Sequence, residues 1–212
     1  MEANFWHNKW ANNEIAFHRS NPNPQLVNNI ETLSLAEGSR LFIPLCGKSL
    51  DIAWLLSNGF CIAGAELVET AIEQLFTELA IVPTIGVLDD IKHYSAPNID
   101  IFVGDIFAVS RQMLGPVDAI YDRAALVALP QEIRAKYTSH LMKITHKSPQ
   151  LLVTYHYDQN LYQGPPFSIS DEEVAQHYKA NYDLTLIVSI DVEGGLKGKY
   201  EAKENVWLLD NA

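Results

Sequence analysis

The stretch LFIPLCGKSLDIAWLL, residues 41–56, indicates the fold class. It begins as an apolar run, passes through a single glycine, Gly47, and continues with apolar residues at helical spacing. Ser49 is suited to the N-cap of that helix and Gly59 to its end. A buried strand, a tight turn and a helix form the repeating unit of open α/β sheets, which bind ligands at the carboxyl ends of their strands. The stretch therefore predicts a strand–turn–helix unit with a ligand near the turn.

Further apolar runs are typical of parallel strands that are buried on both faces. They lie at residues 40–45, 60–67, 98–105, 117–123 and 150–157, with two later strand-like runs at 184–190 and 204–209. Helical patterns lie between them, at Ile72, Leu75, Phe76 and Leu79, and at Ile133, Tyr137, Leu141 and Ile144 after Pro130 as first helical residue. Ser170 and Glu173 are spaced as a capping box. This alternation predicts a doubly wound, mostly parallel sheet with helices on both faces.

The length of 212 residues is expected for one domain spanning residues 1–212. Residues 39–212 would form the α/β core and residues 1–38 an N-terminal helical region. In that region Trp6 and Trp10 are four residues apart and can share one helical face. Two interpretations stay open here, a lid over a ligand and a simple aromatic cover for the core.

Composition disfavours several classes of partner. The 15 basic and 26 acidic residues give a net charge of −11, which disfavours nucleic acid. No secretory pattern and no run of 18 apolar residues is present, so we expect a soluble, cytoplasmic protein without a membrane partner. Cys46 and Cys61 both lie in apolar runs, and the seven histidines form no metal-binding motif, so we expect neither a disulfide nor a metal. Without a heptad run or a long exposed apolar strand pattern, a monomer is expected.

The letters GKS at residues 47–49 raise the alternative of a triphosphate-binding P-loop and hence a small-molecule kinase. Phe42 occupies the position of the first P-loop glycine, and Pro44 has no N–H group to donate to phosphate. The glycine-rich dinucleotide fingerprint is also absent. The phosphate interpretation is therefore weak.

Glu66 ends the second predicted strand, about 20 residues beyond the loop, where a carboxylate commonly accepts both hydroxyls of an adenosine ribose. A nucleoside cofactor without pyrophosphate fits this arrangement, and S-adenosylmethionine is such a cofactor. An alternative is that Glu66 only favours the start of the following helix through the helix dipole. Asp105, after a later strand, could accept from an adenine amino group or start a turn. Asp122 and Arg123 end the next strand, as ligand contacts or as a structural ion pair.

The motifs FWHNKW with FH, FIPLCGKSLDIAWLLSNG, GAEL, GDIF, VDAIYDRAALVALP, R..Y and GPPFSIS occur in this order across nearly the whole chain. In these motifs the sequence resembles the thiopurine S-methyltransferase family. The resemblance implies the Rossmann-like fold of the class I S-adenosylmethionine-dependent methyltransferases, with an aromatic N-terminal lid. It also implies that the cofactor site includes Trp10, Leu45, Gly47, Glu66, Asp105, Ile106 and Arg123.

The implied reaction is methyl transfer from S-adenosylmethionine to the sulfur of an aromatic or heterocyclic thiol such as a thiopurine, leaving S-adenosylhomocysteine. Selenium and tellurium compounds are further candidate acceptors. Heteroaromatic thiols ionise readily, so no catalytic base is assigned and positioning of the two sulfurs would supply most of the catalysis. Arg123 is the candidate contact for an anionic acceptor, and the stiff loop at residues 157–170 is a candidate acceptor cover. The alternative to an enzyme is a nucleoside-binding module without turnover.

Overall fold

The computed structural model describes residues 3–12, 14–15 and 21–211. The residues Phe17 and His18, which carry part of the family resemblance, lie outside this described part. The chain divides into two compact units, Met1–Ala119 and Ile120–Ala212. The assignment of all 212 residues to one domain stays a prediction.

The first unit alternates strands and helices. Its helices are α1 (Ala3–Ala11), α2 (Pro24–Asn29), α3 (Leu50–Ser57), α4 (Glu69–Glu78) and α5 (Arg111–Leu114), with 3-10 turns at Ile30–Leu33 and Ile106–Ala108. Its strands are β1 (Arg40–Pro44), β2 (Cys61–Glu66), β3 (Thr84–Leu88), β4 (Ile91–Ala96) and β5 (Ile99–Val103). They are ordered β3-β4-β5-β2-β1, with β2 parallel to both β1 and β5. The predicted parallel strands of this unit are confirmed.

The hairpin of β3 and β4 was not predicted from the sequence. Both strands are antiparallel to their neighbours, and within the described part of the chain β3 pairs only with β4. All five residues of β3 are exposed, and the side chains of Ile85 and Val87 are 56% and 68% exposed. The premise that the chain has no exposed apolar strand is therefore wrong for β3.

The second unit contains helices α6 (Gln131–Thr145) and α7 (Asp171–Tyr178) and a 3-10 turn at Leu126–Ala128. Its strands are β6 (Ala119–Arg123, of which Ala119 closes the first unit), β7 (Gln150–His156), β8 (Tyr182–Asp191) and β9 (Lys203–Asn211). They are ordered β6-β7-β9-β8, with β6 and β7 parallel and the other pairs antiparallel. The strands predicted at residues 117–123, 150–157, 184–190 and 204–209 are confirmed.

Three predicted helix starts have different outcomes. Ser49 caps α3 as expected, because its side chain accepts from the Asp51 backbone N–H. Pro130 is the N-cap of α6 and not its first residue, since its ψ of 153° is extended. The Ser170 side chain accepts from the Glu173 N–H at 3.2 Å, but the Glu173 carboxylate binds Arg134 and not the cap. Only one half of the predicted capping box is formed.

The buried side of each helix follows the predicted spacing with two exceptions. Tyr137, Leu141 and Ile144 of α6 are buried, whereas Ile133 is half-buried and the neighbouring Arg134 takes the buried position. In α4, Ile72, Leu75 and Phe76 are buried and Leu79, the C-cap, is half-buried.

Both cysteines are free thiols. No helix of the described chain is long and apolar enough to cross a membrane.

Candidate functional site

Glu66, the last residue of β2, is the centre of the candidate site in the first unit. Its side chain is 7% exposed, and its two oxygens accept from the backbone N–H groups of Gly47 at 2.8 Å and Val68 at 2.9 Å. Burial raises the pKa of the Glu66 carboxyl, although these hydrogen bonds act in the opposite direction. The carboxylate thus closes the loop after β1 and precedes α4, for which Val68 is the N-cap.

Glu66 therefore supports the start of α4, which was the structural alternative to a ligand contact. Its carboxylate also keeps capacity for a ligand. A carboxylate has about four lone-pair positions, and the backbone occupies two of them. The positions that these two hydrogen bonds leave open are available to a ligand. The two interpretations of Glu66 are compatible.

Gly47 and Trp10 lie against each other in the same unit. Gly47 has a φ of +51°, and a Cβ added there would lie 3.1 Å from Cζ2 of Trp10. Trp10 is 8% exposed and packs with Val68 and Ala71, while Trp6 is partly buried against the same cluster. The shared helical face of the two tryptophans is confirmed. Residues with side chains at this position of the loop would displace the indole, so the close approach requires glycine.

Leu45 is also in the left-handed region, with a φ of 47°, and is half-buried. This conformation is uncommon for a residue with a branched side chain and marks a constrained loop between β1 and α3. The amino-acid sequence contains no direct sign of it. Cys46, between Leu45 and Gly47, is buried, and burial together with the Glu66 charge raises the pKa of its thiol.

Asp105 and Ile106 follow β5, which is the neighbour of β2. The register pairs Glu66 with Val103, so Asp105 lies two residues beyond the partner of Glu66. Asp105 is exposed, and one of its oxygens accepts from the Phe107 N–H at 3.0 Å, which caps the 3-10 turn Ile106–Ala108. The second oxygen has no partner in the described part of the chain. Ile106 is 6% exposed.

The GKS letters do not form a phosphate cradle. The Gly47 N–H, which a phosphate would need, donates to an anion, Glu66. Lys48 forms an ion pair with Glu78 at 2.7 Å, and Ser49 caps α3. This geometry gives no support to the triphosphate alternative.

Asp122 and Arg123 in the second unit do not pair with each other. Successive side chains of a strand point to opposite faces of the sheet. The Asp122 side chain is completely buried. Its two oxygens accept from the Leu126 N–H at 3.1 Å and from the Tyr137 hydroxyl at 2.8 Å. Burial raises the pKa of the Asp122 carboxyl to about 6. Arg123 is half-buried, and its guanidinium forms no ion pair or hydrogen bond within residues 3–12, 14–15 and 21–211. The interpretation as an ion pair with Asp122 is wrong, and among the described residues the Arg123 guanidinium at the end of β6 has no partner.

The described residues include no group of three His, Cys, Asp or Glu side chains that could hold a metal ion. The candidate site therefore consists of backbone N–H groups, two carboxylates, an indole and aliphatic side chains. These groups match the parts of a nucleoside with a cationic sulfur substituent.

Comparison with known proteins gives the family. The thiopurine S-methyltransferase family matches residues 1–211. The chain belongs to the thiopurine S-methyltransferase family. Thiopurine S-methyltransferases of Xanthobacter autotrophicus and Teredinibacter turnerae are 51% and 49% identical to it, over 100% and 99% of this chain and 100% and 97% of theirs. The resemblance drawn from the motifs is confirmed.

Solved structures confirm the predicted fold class. A 1,6-didemethyltoxoflavin-N1-methyltransferase of Burkholderia thailandensis, with bound S-adenosylhomocysteine, has a TM-score of 0.67 at 11% identity and covers 99% of this chain and 87% of that one. An S-adenosylmethionine-dependent methyltransferase of Anabaena variabilis has a TM-score of 0.64 at 16% identity, with 99% and 95% coverage. This chain thus has the Rossmann-like class I methyltransferase fold.

Proposed function

We propose that this protein transfers the methyl group of S-adenosylmethionine to the sulfur of an aromatic or heterocyclic thiol, such as a thiopurine. The observation that carries the proposal is the full-length match to thiopurine S-methyltransferases, with 51% identity to one of them. The partly used carboxylate of Glu66 at the carboxyl end of β2 supports it independently.

The residues of the first unit fit S-adenosylmethionine. We assign the ribose hydroxyls to Glu66 and the adenine amino group to the unpartnered oxygen of Asp105. Ile106 would pack against the adenine ring. The Trp10 indole, seated on Gly47, would attract the cationic methionine end through its π face. Leu45 and Gly47 would form the wall of the loop after β1.

When bound, S-adenosylmethionine supplies an electrophilic methyl group that an ionised thiol can take up by in-line displacement. The chain's own contribution would be to bind, align and exclude water, so no catalytic residue is assigned. Arg123 is the candidate contact for an anionic acceptor, because its guanidinium stays charged and has no other partner in the described residues. The loop at residues 157–170 would cover the acceptor.

Two measurements test the proposal. Calorimetry with S-adenosylmethionine, S-adenosylhomocysteine and ATP with magnesium should show binding of the two sulfur nucleosides and not of ATP. Methyl transfer should then be followed for a panel of aryl thiols, thiopurines, selenols and tellurium compounds. Binding of ATP alone would support a kinase, and cofactor binding without any methylated product would support a binding module.

An Arg123 variant tests whether this residue, which is also expected in the cofactor site, contacts the acceptor. Arg123→Met should raise KM for an anionic thiol by on the order of tenfold, since one charged hydrogen bond contributes about 1.5–3 kcal/mol. Lys143, an exposed cation of α6, gives the control variant Lys143→Met, which should leave KM unchanged. Equal KM values for the two variants would remove Arg123 from the acceptor site.

We further propose a small-molecule acceptor, a cytoplasmic monomer, and no nucleic-acid or membrane partner. The net charge of −11 supports the exclusion of nucleic acid. The monomer has to be tested by sedimentation over a range of concentrations, because β3 exposes apolar side chains.

A further inference from the structure

Arg134 of α6 belongs to the R..Y motif that carries part of the family resemblance, and its role is not explained by the cofactor residues. Its side chain is 4% exposed, so a permanent charge lies almost entirely out of water. Its Nε donates to the Leu129 carbonyl at 2.8 Å, and its Nη1 donates to both oxygens of Glu173 at 2.8 and 2.9 Å. The guanidinium therefore joins the end of the Leu126–Ala128 turn to the first turn of α7.

The same guanidinium lies over the ring of Phe167, with 5.3 Å between Cζ and the ring centroid. Phe167 is fixed at its backbone as well, because its N–H donates to the Val127 carbonyl. The Phe167 ring in turn supports the loop: a Cβ added at Gly164 would lie 2.6 Å from Phe167 Cδ1. Gly164, with a φ of +81°, closes the loop tightly over the ring.

Hydrogen bonds within residues 157–168 also order this loop. The Tyr157 hydroxyl donates to the Pro166 carbonyl at 2.7 Å, and the Gln159 side chain donates to the Tyr162 carbonyl and accepts from the Ser168 N–H. Residues 157–168 are thus linked by internal hydrogen bonds, and Phe167 connects this loop to the turn that follows Arg123.

We propose that Arg134 is a positioning residue for the methyl acceptor: it sets the Gly164–Phe167 segment against the turn that follows Arg123. The inference rests on the proposed function, in which Arg123 and this loop take the acceptor. An error of about 1 Å in the position of an acceptor-covering group is enough to cost two orders of magnitude in rate.

A purely structural ion pair is the competing explanation, and it leads to a different expectation. A buried ion pair contributes little to stability relative to apolar side chains of similar volume, because desolvation offsets the attraction. Lysine keeps the charge but has neither the planar face for Phe167 nor the several fixed donors. Lysine at this position would therefore preserve a structural charge pair and lose the positioning.

The experiment uses the full chain with Arg134→Lys, Arg134→Met in a Glu173→Gln background, and the exposed control Lys143→Met on the same helix. The Arg134 variants should raise acceptor KM at least tenfold while the Kd for S-adenosylmethionine changes less than twofold. Hydrogen exchange measured on peptides covering residues 158–169 should accelerate selectively. Lys143→Met should behave as the wild type in all three measurements.

Two results would overturn the inference. One is an unchanged acceptor KM in a folded Arg134→Lys protein, and the other is a parallel change of KM, cofactor Kd and hydrogen exchange along the whole chain. If both Arg134 variants fail to fold, Phe167→Leu tests the same contact from the loop side and should raise KM in the same way. An unchanged KM for Phe167→Leu then counts against the inference.

Failure of the proposed function is recognised separately. If the wild type methylates no acceptor, the enzyme assignment fails. The acceptor-positioning role of Arg134 then fails with it. Hydrogen exchange still tests the contact itself: selective acceleration at residues 158–169 would show that Arg134 orders the loop, and unchanged or chain-wide exchange would show that it does not.

Discussion

The carboxylate of Glu66 accepts the backbone N–H of Gly47 at 2.8 Å, so the end of β2 fixes the loop that follows β1. The other oxygen accepts from Val68, the N-cap of α4. One acidic side chain therefore organises two successive strand–helix connections while it retains lone pairs for a ligand.

Glu66→Ala should weaken S-adenosylmethionine binding by about 2 kcal/mol or more, roughly 30-fold in Kd, because hydrogen bonds to a charged acceptor are lost. It should also lower the free energy of unfolding by about 1–3 kcal/mol, since the N–H groups of Gly47 and Val68 lose a buried partner. Calorimetry and urea unfolding measure the two effects. The exposed control Asp89→Asn should change neither, and an unaltered Kd for Glu66→Ala would contradict the ribose assignment.

Gly47→Ala should destabilise the protein by about 1–2 kcal/mol, because a Cβ is unfavourable at positive φ. It should also weaken cofactor binding, since the new methyl group would lie 3.1 Å from Trp10. Gly86→Ala is the matched control: no atom of the described residues lies within 4 Å of its added Cβ, and alanine is favoured over glycine in a strand. Similar unfolding midpoints and Kd values for the two variants would show that the Trp10–Gly47 contact has no functional weight.

Asp122 should make stability fall as the pH rises from about 4 to about 6. Its folded pKa of about 6 lies above the ordinary value of 3.8, so the folded protein binds more protons in this range. A shift of about two pKa units corresponds to about 3 kcal/mol. This contribution is fully present below pH 4 and is lost as the pH passes through 6.

Urea unfolding of the wild type and Asp122→Asn at pH 4, 5, 6 and 7 measures this contribution. The difference in free energy between the two proteins should change by about 3 kcal/mol across the range, whereas contributions of other acids cancel. Tyr137→Phe removes a hydrogen bond that lowers the pKa and should extend the window to higher pH. A constant difference between wild type and Asp122→Asn would disprove the titration.

Thr154→Val should be neutral or stabilising by up to about 1 kcal/mol. The Thr154 hydroxyl is buried without a partner in the described chain, opposite Asn205 in the β7–β9 register, and valine has the same shape without the polar atom. The matched change Thr145→Val removes a buried hydroxyl that donates to Leu141 at 2.7 Å and should cost about 1 kcal/mol. Thermal unfolding compares the pair, and a larger loss for Thr154→Val would point to a bound water at its hydroxyl.

The parts of the fold that could be predicted are those with a strong local pattern. The apolar runs gave the parallel strands, and Ser49 and Gly47 marked the turn between β1 and α3. The β3–β4 hairpin was missed because β3 is a short run that contains a glycine, and β4 includes the polar residues Lys92, His93 and Ser95. Neither strand therefore has the continuous apolar pattern of a strand buried on both faces.

The site residues could be placed at strand ends, but their partners could not be predicted from the sequence. Asp122 was grouped with the adjacent Arg123, whereas its partner Tyr137 lies 15 residues away on α6. The burial of Arg134 likewise depends on Glu173, 39 residues further along the chain. Such contacts depend on tertiary packing, for which one sequence contains no periodic signal.

The exposed strand β3 should make self-association of the protein depend on salt. The uncharged strand TIGVL has no partner on its outer edge among the described residues and is followed by Asp89 and Asp90. The net charge of −11 makes copies of the protein repel one another. Unprotected apolar edges are where chains pair with one another. Salt screens this repulsion, so we expect it to promote self-association through β3. The protein concentration at which aggregates form should therefore fall as the ionic strength rises.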